Sequence, residues 1–236
     1  MNMTKALKTP QTTISGSYSY AWQQMWKYFL YLFLVIVVIA IAQSPGSALK
    51  DSTDDNTPGL IVLQLVFAAY WLLVLPVIEF GADLIFIRAM RNEKIDLKEL
   101  FIGFKNNYLN IILAHLIWVA IVGIGIVFLI VPGIILGCRL AFIPYLVMDK
   151  NMEPVAAVEK SWEMTRGHGW TIFGMALLAI LIVILGLLCL IVGIFFALIW
   201  VSGAFAALYH AIDLEQQKEL NENGATTDEV TPEPEM

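Results

Sequence analysis

The chain contains six long runs of apolar residues, and these runs limit what it can fold into. About 20 consecutive apolar residues cross a bilayer as an α-helix. Of the 236 residues, 59 % are hydrophobic and 14 % are charged. A soluble domain averages about 45–50 % apolar residues and about 25 % charged residues, so this composition indicates a membrane protein. The predicted membrane spans are 26–43, 60–79, 108–131, 134–148, 170–188 and 190–212.

The fourth run is the shortest, and it leaves two topologies open. Pro132-Gly133 lies between the third and fourth runs and predicts a tight turn there. Pairing consecutive runs across their connections gives an all-α polytopic membrane bundle of six transmembrane helices in three hairpins. In the alternative topology, the fourth segment is re-entrant and returns to the side from which it came.

The lysine and arginine residues predict how the bundle is oriented. Of the fourteen, Lys50 alone lies in the connection between the first and second spans. The connections between spans two and three and between spans four and five carry many of the others. Loops rich in lysine and arginine stay cytoplasmic because positive charge resists translocation. The pattern predicts a multi-pass protein with both termini in the cytoplasm.

Charge also divides the chain into three parts. Residues 1–24 form a cytoplasmic N-terminal segment, which includes an interfacial helix. Residues 25–212 form the transmembrane domain. Residues 213–236 contain eight acidic residues and Lys218, together with Gly, Pro, Thr and Asn. A segment of this composition buries too little apolar surface to fold, so we expect a disordered acidic cytoplasmic tail.

The segment MEPVAAVEKSWEMTRGHGW interrupts the apolar runs before the fifth span. At 100° per residue, Val158 and Trp162 fall on one half of a helix, and Arg166 falls on the other half with Glu159, Lys160 and Glu163. His168 follows in a glycine-rich turn. A helix that is amphipathic and too short to cross the bilayer lies along its surface. We call this predicted cytoplasmic interfacial helix, 153–167, the second elbow.

A similar segment precedes the third span. The sequence IDLKELFIGFKNNY predicts a first elbow at 95–106, with Leu100 and Phe104 on one side and lysines towards the other. The hairpins that follow the two elbows, 107–150 and 169–212, are each 44 residues long. A weaker third copy is SYSYAWQQMWKYF, at 17–29. The chain therefore reads as three repeats of an elbow and a hairpin, although hydrophobic hairpins also resemble one another in general.

Two blocks carry a resemblance to a known family. The blocks are VAAVEKSWEMTRGHGWTIFGMALL at 155–178 and EFGADLIFIRAMRNEKIDLKELFIGFKNNY at 79–108. They resemble the membrane domain attached to some bacterial glycerophosphodiester phosphodiesterases and its stand-alone, uncharacterised integral membrane relatives. The resemblance implies a bacterial inner-membrane protein. In the fusion proteins the chemistry belongs to a separate soluble barrel, so phosphodiesterase activity is not implied for this chain.

The sequence contains no pattern typical of an enzyme. His115, His168 and His210 are its only histidines, and no two have the spacing of metal ligands on a helix. Neither a G-x-S-x-G nucleophile motif nor a phosphate-binding loop is present. We therefore expect no catalytic residues, no metal and no cofactor, and nothing in the sequence indicates a nucleic-acid partner.

Three ionisable residues lie within or beside the apolar runs: Glu79, Asp83 and Arg139. Glu79 and Asp83 are four residues apart and share one helix face. A charged side chain within the bilayer costs about 2.5–3.5 kcal/mol on insertion scales, so such residues usually face the bundle and are paired. Counting residues inward places Glu79 and Arg139 at similar depths. The sequence therefore predicts a Glu79/Asp83/Arg139 cluster that is either a structural ion pair or a functional site.

These observations leave two functions open. The first is a non-catalytic membrane scaffold or partner-binding module that contacts membrane lipid and a cytoplasmic protein. The second is a small transporter or lipid-handling protein that uses the Glu79/Asp83/Arg139 cluster. A cavity that reaches the cluster would favour the second function, and a sealed bundle would favour the first.

Overall fold

The computed structural model describes residues 9–44, 58–188 and 190–228, and every regular element in those ranges is a helix. Six stretches are long and apolar enough to cross a membrane. They are Ile14–Gln43, Ile61–Met90, Tyr108–Phe128, Ile130–Asp149, Gly169–Leu188 and Gly193–Glu222. The predicted all-α, polytopic fold class is confirmed.

The elements follow one another in the order expected for paired spans. The first half contains α1 (Ile14–Gln43), α2 (Pro58–Leu73), α3 (Leu75–Met90), a 3₁₀ helix (Leu97–Phe101) and α4 (Ile102–Lys105). The second half contains α5 (Tyr108–Phe128), α6 (Ile130–Arg139), α7 (Ile143–Asp149), α8 (Pro154–Met164), α9 (Gly169–Leu188) and α10 (Leu190–Asp228).

Two of the six spans are interrupted within their length. The second span breaks at Val74, between α2 and α3, and the fourth breaks at residues 140–142, between α6 and α7. Each break comes just before a proline, Pro76 or Pro144, that occupies the first turn of the next helix. Proline has no backbone N–H to donate to the preceding turn, so a helix ends before it more readily than it continues.

The predicted turn at Pro132-Gly133 is wrong. The chain reverses at Leu129, which is extended (φ −162°, ψ 139°), and Pro132 and Gly133 lie in the first turn of α6. A first turn tolerates proline because its N–H would lack a helical partner anyway. Gly133 allows α6 to approach α5, since a Cβ there would lie 2.8 Å from the Ile126 backbone nitrogen.

The fourth span packs against α5 at both of its ends. A re-entrant fourth segment, the alternative topology, would not run alongside α5 in this way. At one end Gly125 of α5 contacts Gly133 of α6. At the other end, beyond both helices, the Asn107 side-chain amide donates to Asn151 Oδ1 at 2.6 Å. The third predicted hairpin is also present, with Gly186 of α9 against Ala197 of α10.

Both predicted elbows are helical. The first elbow, 95–106, is a 3₁₀ helix followed by the single turn of α4, and Asp96 caps it by accepting from the Lys98 N–H at 2.9 Å. The second elbow, 153–167, is α8, and it ends before Gly167, which adopts the left-handed conformation (φ 89°).

The third copy, 17–29, is not a separate interfacial helix. It belongs to α1, which runs from Ile14 to Gln43 and bends at Tyr28 (φ −112°, ψ 18°). Aromatic packing explains the difference, because Tyr18 and Trp22 both contact Trp200 of α10 edge to face. Residues 14–24 therefore form the start of α1 and pack against α10.

The tail is helical where disorder was expected. Helix α10 continues through Asp228, and residues 229–236 lie outside the described part. Asp213, the first acidic residue of the segment, is buried and forms ion pairs with Lys150 and Arg91. The next residues, LEQQKEL, are mostly good helix formers. A fixed first turn followed by such residues allows the helix to propagate.

The core lies where α1, α3, α7 and α10 meet. Its fully buried side chains include Met25, Phe86, Leu146 and Tyr209. Large apolar side chains of α2, α5 and α9 point outward and are exposed. Exposed apolar residues on this scale suit contact with lipid and not with water.

Candidate functional site: a carboxylate pair between two cavities

Glu79 and Asp83 form the candidate site on α3. The break at Val74 starts a new helix, and the two carboxylates follow one turn apart on the same face of it. The residues next to them along α3 are buried, while these two acidic side chains retain partial exposure. The exposure arises because two cavities open onto the pair.

The first cavity lies between α3, α5 and the α6–α7 break. Its volume is about 360 Å³, and it is lined by Glu79 and Asp83 together with His115, Trp118 and Tyr145. Leu140, Ala141 and Pro144, from the interrupted part of the fourth span, form another wall. Polar side chains therefore meet at a point where the helix backbone is discontinuous.

The second cavity lies on the other side of the same two carboxylates, between α1, α3 and α10. Its volume is about 340 Å³, and Gln43 and Ser202 supply its other polar side chains. Gln43 Nε2 donates to Glu79 Oε1 at 3.1 Å. Within the described residues, Asp83 forms neither a hydrogen bond nor an ion pair. Asp83 is thus the acidic group of the pair that is open to a proton or a ligand.

Arg139 does not join the pair, so the predicted Glu79/Asp83/Arg139 cluster is wrong. In the described part of the chain, no ion pair links Arg139 to either carboxylate. Arg139 Nη1 donates to the Thr165 carbonyl at 3.0 Å, and the guanidinium lies 5.6 Å from the centre of the Trp162 ring. The helix is interrupted directly after Arg139, at residues 140–142, so a count along one continuous helix from Asp149 does not place the Arg139 side chain.

The break is stabilised by polar groups of the second elbow. Ser161 Oγ donates to the Arg139 carbonyl at 2.9 Å and accepts from the Phe142 N–H at 3.3 Å. Thr165 Oγ1 also lies 3.2 Å from the Arg139 carbonyl. Backbone groups freed by the interruption thereby gain partners, as buried backbone groups require.

The other predicted residues of the second elbow lie around this contact. Val158 packs against the core, whereas Trp162 is partly exposed beside Arg139. Arg166 is exposed. His168 Nε2 lies 3.6 Å from Glu215 Oε2 of α10. The second elbow and the turn after it therefore contact α6, α7 and α10.

Sequence reasoning missed a charged cluster where α3, α7 and α10 meet. The Arg91 guanidinium donates two hydrogen bonds to the Asp149 carboxylate, at 2.5 and 2.8 Å. Its Nη2 atom also lies 3.5 Å from Asp213 Oδ2. Lys150 also pairs with Asp213, and Tyr209 donates to Asp149 at 3.0 Å. The only signal in the sequence is that Asp149 and Asp213 each directly follow an apolar run. Such residues are common at helix ends, so the signal does not identify partners.

Among the described residues, no group of three or more His, Cys, Asp or Glu is arranged to hold a metal ion. The Glu79–Asp83 pair can instead bind and release a proton, since it combines acidic groups with neighbouring imidazole, phenol and amide side chains.

Comparisons with protein-family models, with curated proteins and with solved structures found no match to this chain. The fold itself defines an integral, multi-pass membrane protein.

Proposed function

We propose that this protein is a small transporter of the bacterial inner membrane in which the Glu79–Asp83 pair takes up and releases protons. The observation that carries the proposal is the meeting of two separate cavities at the same carboxylate pair. A residue that lines both cavities can exchange a proton with either one. Intramembrane acidic residues typically mark such ion and proton paths.

The composition of the site supports a cationic cargo. Neither carboxylate has an arginine or lysine partner within the described ranges, so the pair carries negative charge when ionised, which disfavours anions. Gln43 Nε2 holds Glu79 in position. His115 and Tyr145 line the first cavity and Ser202 lines the second, so each side offers groups that can pass a proton onwards.

The broken spans support movement at the site. Glu79 follows the break at Val74, and the first cavity is walled by the break between α6 and α7. Transporter sites are often built from discontinuous helices near the middle of the membrane. Both termini are proposed to be cytoplasmic, because Lys50 is the only basic residue of the connection between the first two spans.

Carbodiimide labelling tests the proton site without knowledge of a substrate. A hydrophobic carbodiimide reacts with a protonated carboxyl group inside the membrane. We expect one or two adducts on the α3 peptide of the purified protein in detergent, and the yield should fall as the pH rises. Asp83→Asn should remove most of the labelling. Glu93→Gln, which changes an exposed acidic residue just beyond α3, is the control and should retain it.

Proton flux tests the function directly. Proteoliposomes with an imposed pH gradient and an internal pH-sensitive dye should lose the gradient at least about tenfold faster with the wild-type protein than with Asp83→Asn. Absence of both α3 labelling and wild-type flux would contradict the proposal. That outcome would favour the competing proposal, a non-catalytic scaffold, which is supported by the exposed Val155 and Trp162 on α8.

The further assignments are also proposals. The resemblance to the membrane domain of glycerophosphodiester phosphodiesterases supports the bacterial inner-membrane location. That the protein has no catalytic role is likewise a proposal, supported by the lack of a nucleophile motif and of a phosphate-binding loop in the sequence. A cytoplasmic protein partner belongs to the scaffold proposal, and a native-membrane pull-down would identify it.

A further inference from the structure

A third cavity lies between α6 and α9, away from the carboxylate pair. Its volume is about 490 Å³, and its walls are mostly apolar. Val131, Ile134 and Ile135 line it from one face of α6, and Trp170 and Phe173 line it from α9. We call this cavity the α6–α9 groove. None of its lining residues takes part in the proposed proton site.

One end of the α6–α9 groove is cationic. Arg139 lies there, at the end of α6, and its guanidinium has five N–H donors. Its only side-chain hydrogen bond among the described residues goes to the Thr165 carbonyl at 3.0 Å, and no carboxylate there lies within 4.0 Å of it. Trp162 covers one face of the guanidinium without neutralising it. Most of the donors therefore remain available to an anion.

The same end of the groove is open and rich in backbone donors. Gly167 and Gly169 line it, and neither has a side chain that would block an approaching group. Helix α9 begins at Gly169, and the first N–H groups of a helix lack partners within the helix. A helix amino terminus together with an arginine is well suited to a phosphate group.

We propose that the α6–α9 groove binds an anionic phospholipid. The phosphate lies between Arg139 and the start of α9, and an acyl chain lies along Ile134, Ile135 and Phe173. Charge complementarity places the headgroup, because the groove has one cationic end and apolar walls elsewhere. Trp170, at 85 % exposure beside the cationic end, is the type of side chain that is enriched at the membrane–water interface. This assignment is independent of the proposed proton transport.

Native mass spectrometry of the purified protein in detergent tests the headgroup contact. Phosphatidylglycerol and phosphatidylcholine with identical acyl chains are titrated separately. We expect the wild-type protein to bind phosphatidylglycerol at least about tenfold more tightly, and Arg139→Gln to abolish that preference. The matched control is Arg166→Gln, which removes an exposed arginine from the turn between α8 and α9 and should leave the preference intact. Equal losses in both variants would attribute the preference to general surface charge and overturn the assignment.

A second variant tests the apolar part without changing any charge. Ile135→Trp fills the groove and should weaken phosphatidylglycerol binding at least about fivefold. Ile180→Trp, on an exposed part of α9 outside the groove, should have no effect. Unchanged binding by Ile135→Trp would overturn the assignment even if Arg139→Gln failed to fold. Full competition by glycerol phosphate would show a site for a soluble anion, which also contradicts a lipid occupant.

Discussion

Asp213 is a buried acidic residue that connects α10 to two basic side chains. It pairs with Lys150 and lies 3.5 Å from Arg91. Removing one partner of a buried ion pair typically costs about 3–5 kcal/mol. We expect Asp213→Asn to lower the free energy of unfolding by about 2 kcal/mol, less than that range because Arg91 retains Asp149. Denaturant unfolding in detergent measures the loss.

The matched control for Asp213 is Glu219→Gln. Glu219 is an exposed acidic residue on the same helix, so its replacement should change the free energy of unfolding by no more than about 0.5 kcal/mol. Similar losses in the two variants would mean that the net charge of α10, and not the buried contact, determines stability.

Glu99 should make stability depend on pH. Burial raises the pKa of this carboxyl group, and Arg88, at 2.5 Å, only partly opposes the rise. Its second oxygen, Oε2, is buried without a hydrogen-bond partner among the described residues. A carboxyl group with a raised pKa in the folded state lowers stability as the pH rises from its ordinary pKa through the raised value.

We therefore expect the melting temperature of the wild-type protein to fall relative to that of Glu99→Gln as the pH increases from about 4 to 7. The two proteins should be compared at each pH by thermal unfolding in detergent. A relative gain of the wild-type protein over this interval would show that the ion pair with Arg88 outweighs burial.

Two glycines of α6 give a matched test of how the fourth span packs. A Cβ at Gly133 would lie within 3 Å of the Ile126 backbone, whereas a Cβ at Gly137 would meet nothing within 4 Å. Gly133→Ala should therefore separate α5 from α6 and lower the free energy of unfolding by about 1–3 kcal/mol. Gly137→Ala should be neutral or slightly stabilising because alanine favours a helix. Denaturant unfolding measures the free energy of unfolding of each variant. Equal changes in the two variants would contradict the close packing of α5 against α6.

The contact between α8 and the α6–α7 break rests on Ser161. Its hydroxyl donates to the Arg139 carbonyl and accepts from the Phe142 N–H. Ser161→Ala should lower the free energy of unfolding by about 1–3 kcal/mol because it leaves buried backbone groups unpaired. Glu159→Ala, an exposed change on the same helix, should alter it little. Unfolding of both variants by denaturant measures the difference.

Hydropathy predicted the helical spans because burial in lipid requires long apolar runs, and amphipathic spacing predicted the helices at both elbows. The partner of Arg139 was not predictable by counting residues, because the count assumes one straight helix from Arg139 to Asp149. The helix is instead interrupted at 140–142, and Arg139 donates to the Thr165 carbonyl. Composition also misjudged Asp213, since a local average contains no information about Arg91 and Lys150.

The whole bundle has a predicted orientation that labelling can test. The six candidate spans place residues before α1 and after α10 on the same side if all of them cross. In a variant with Cys138 and Cys189 replaced by alanine, a cysteine introduced at Ser52 should react with an impermeant maleimide from outside intact cells. A cysteine at Lys218 should react only after the cells are opened. Labelling of Ser52→Cys only in opened cells would reverse the orientation.

Helix α10 joins distant parts of the molecule without a described break after Leu190. Its 39 residues extend about 58 Å at 1.5 Å per residue, roughly twice the thickness of the hydrocarbon core. Ser202 lies in the cavity wall, Asp213 lies in the charged cluster, and both belong to the same continuous helix that ends at Asp228. A rigid element of this kind transmits displacement, so a force that tilts its outer end also moves the wall beside Asp83. A partner that binds this end from the aqueous phase can therefore move residues in the interior of the membrane domain.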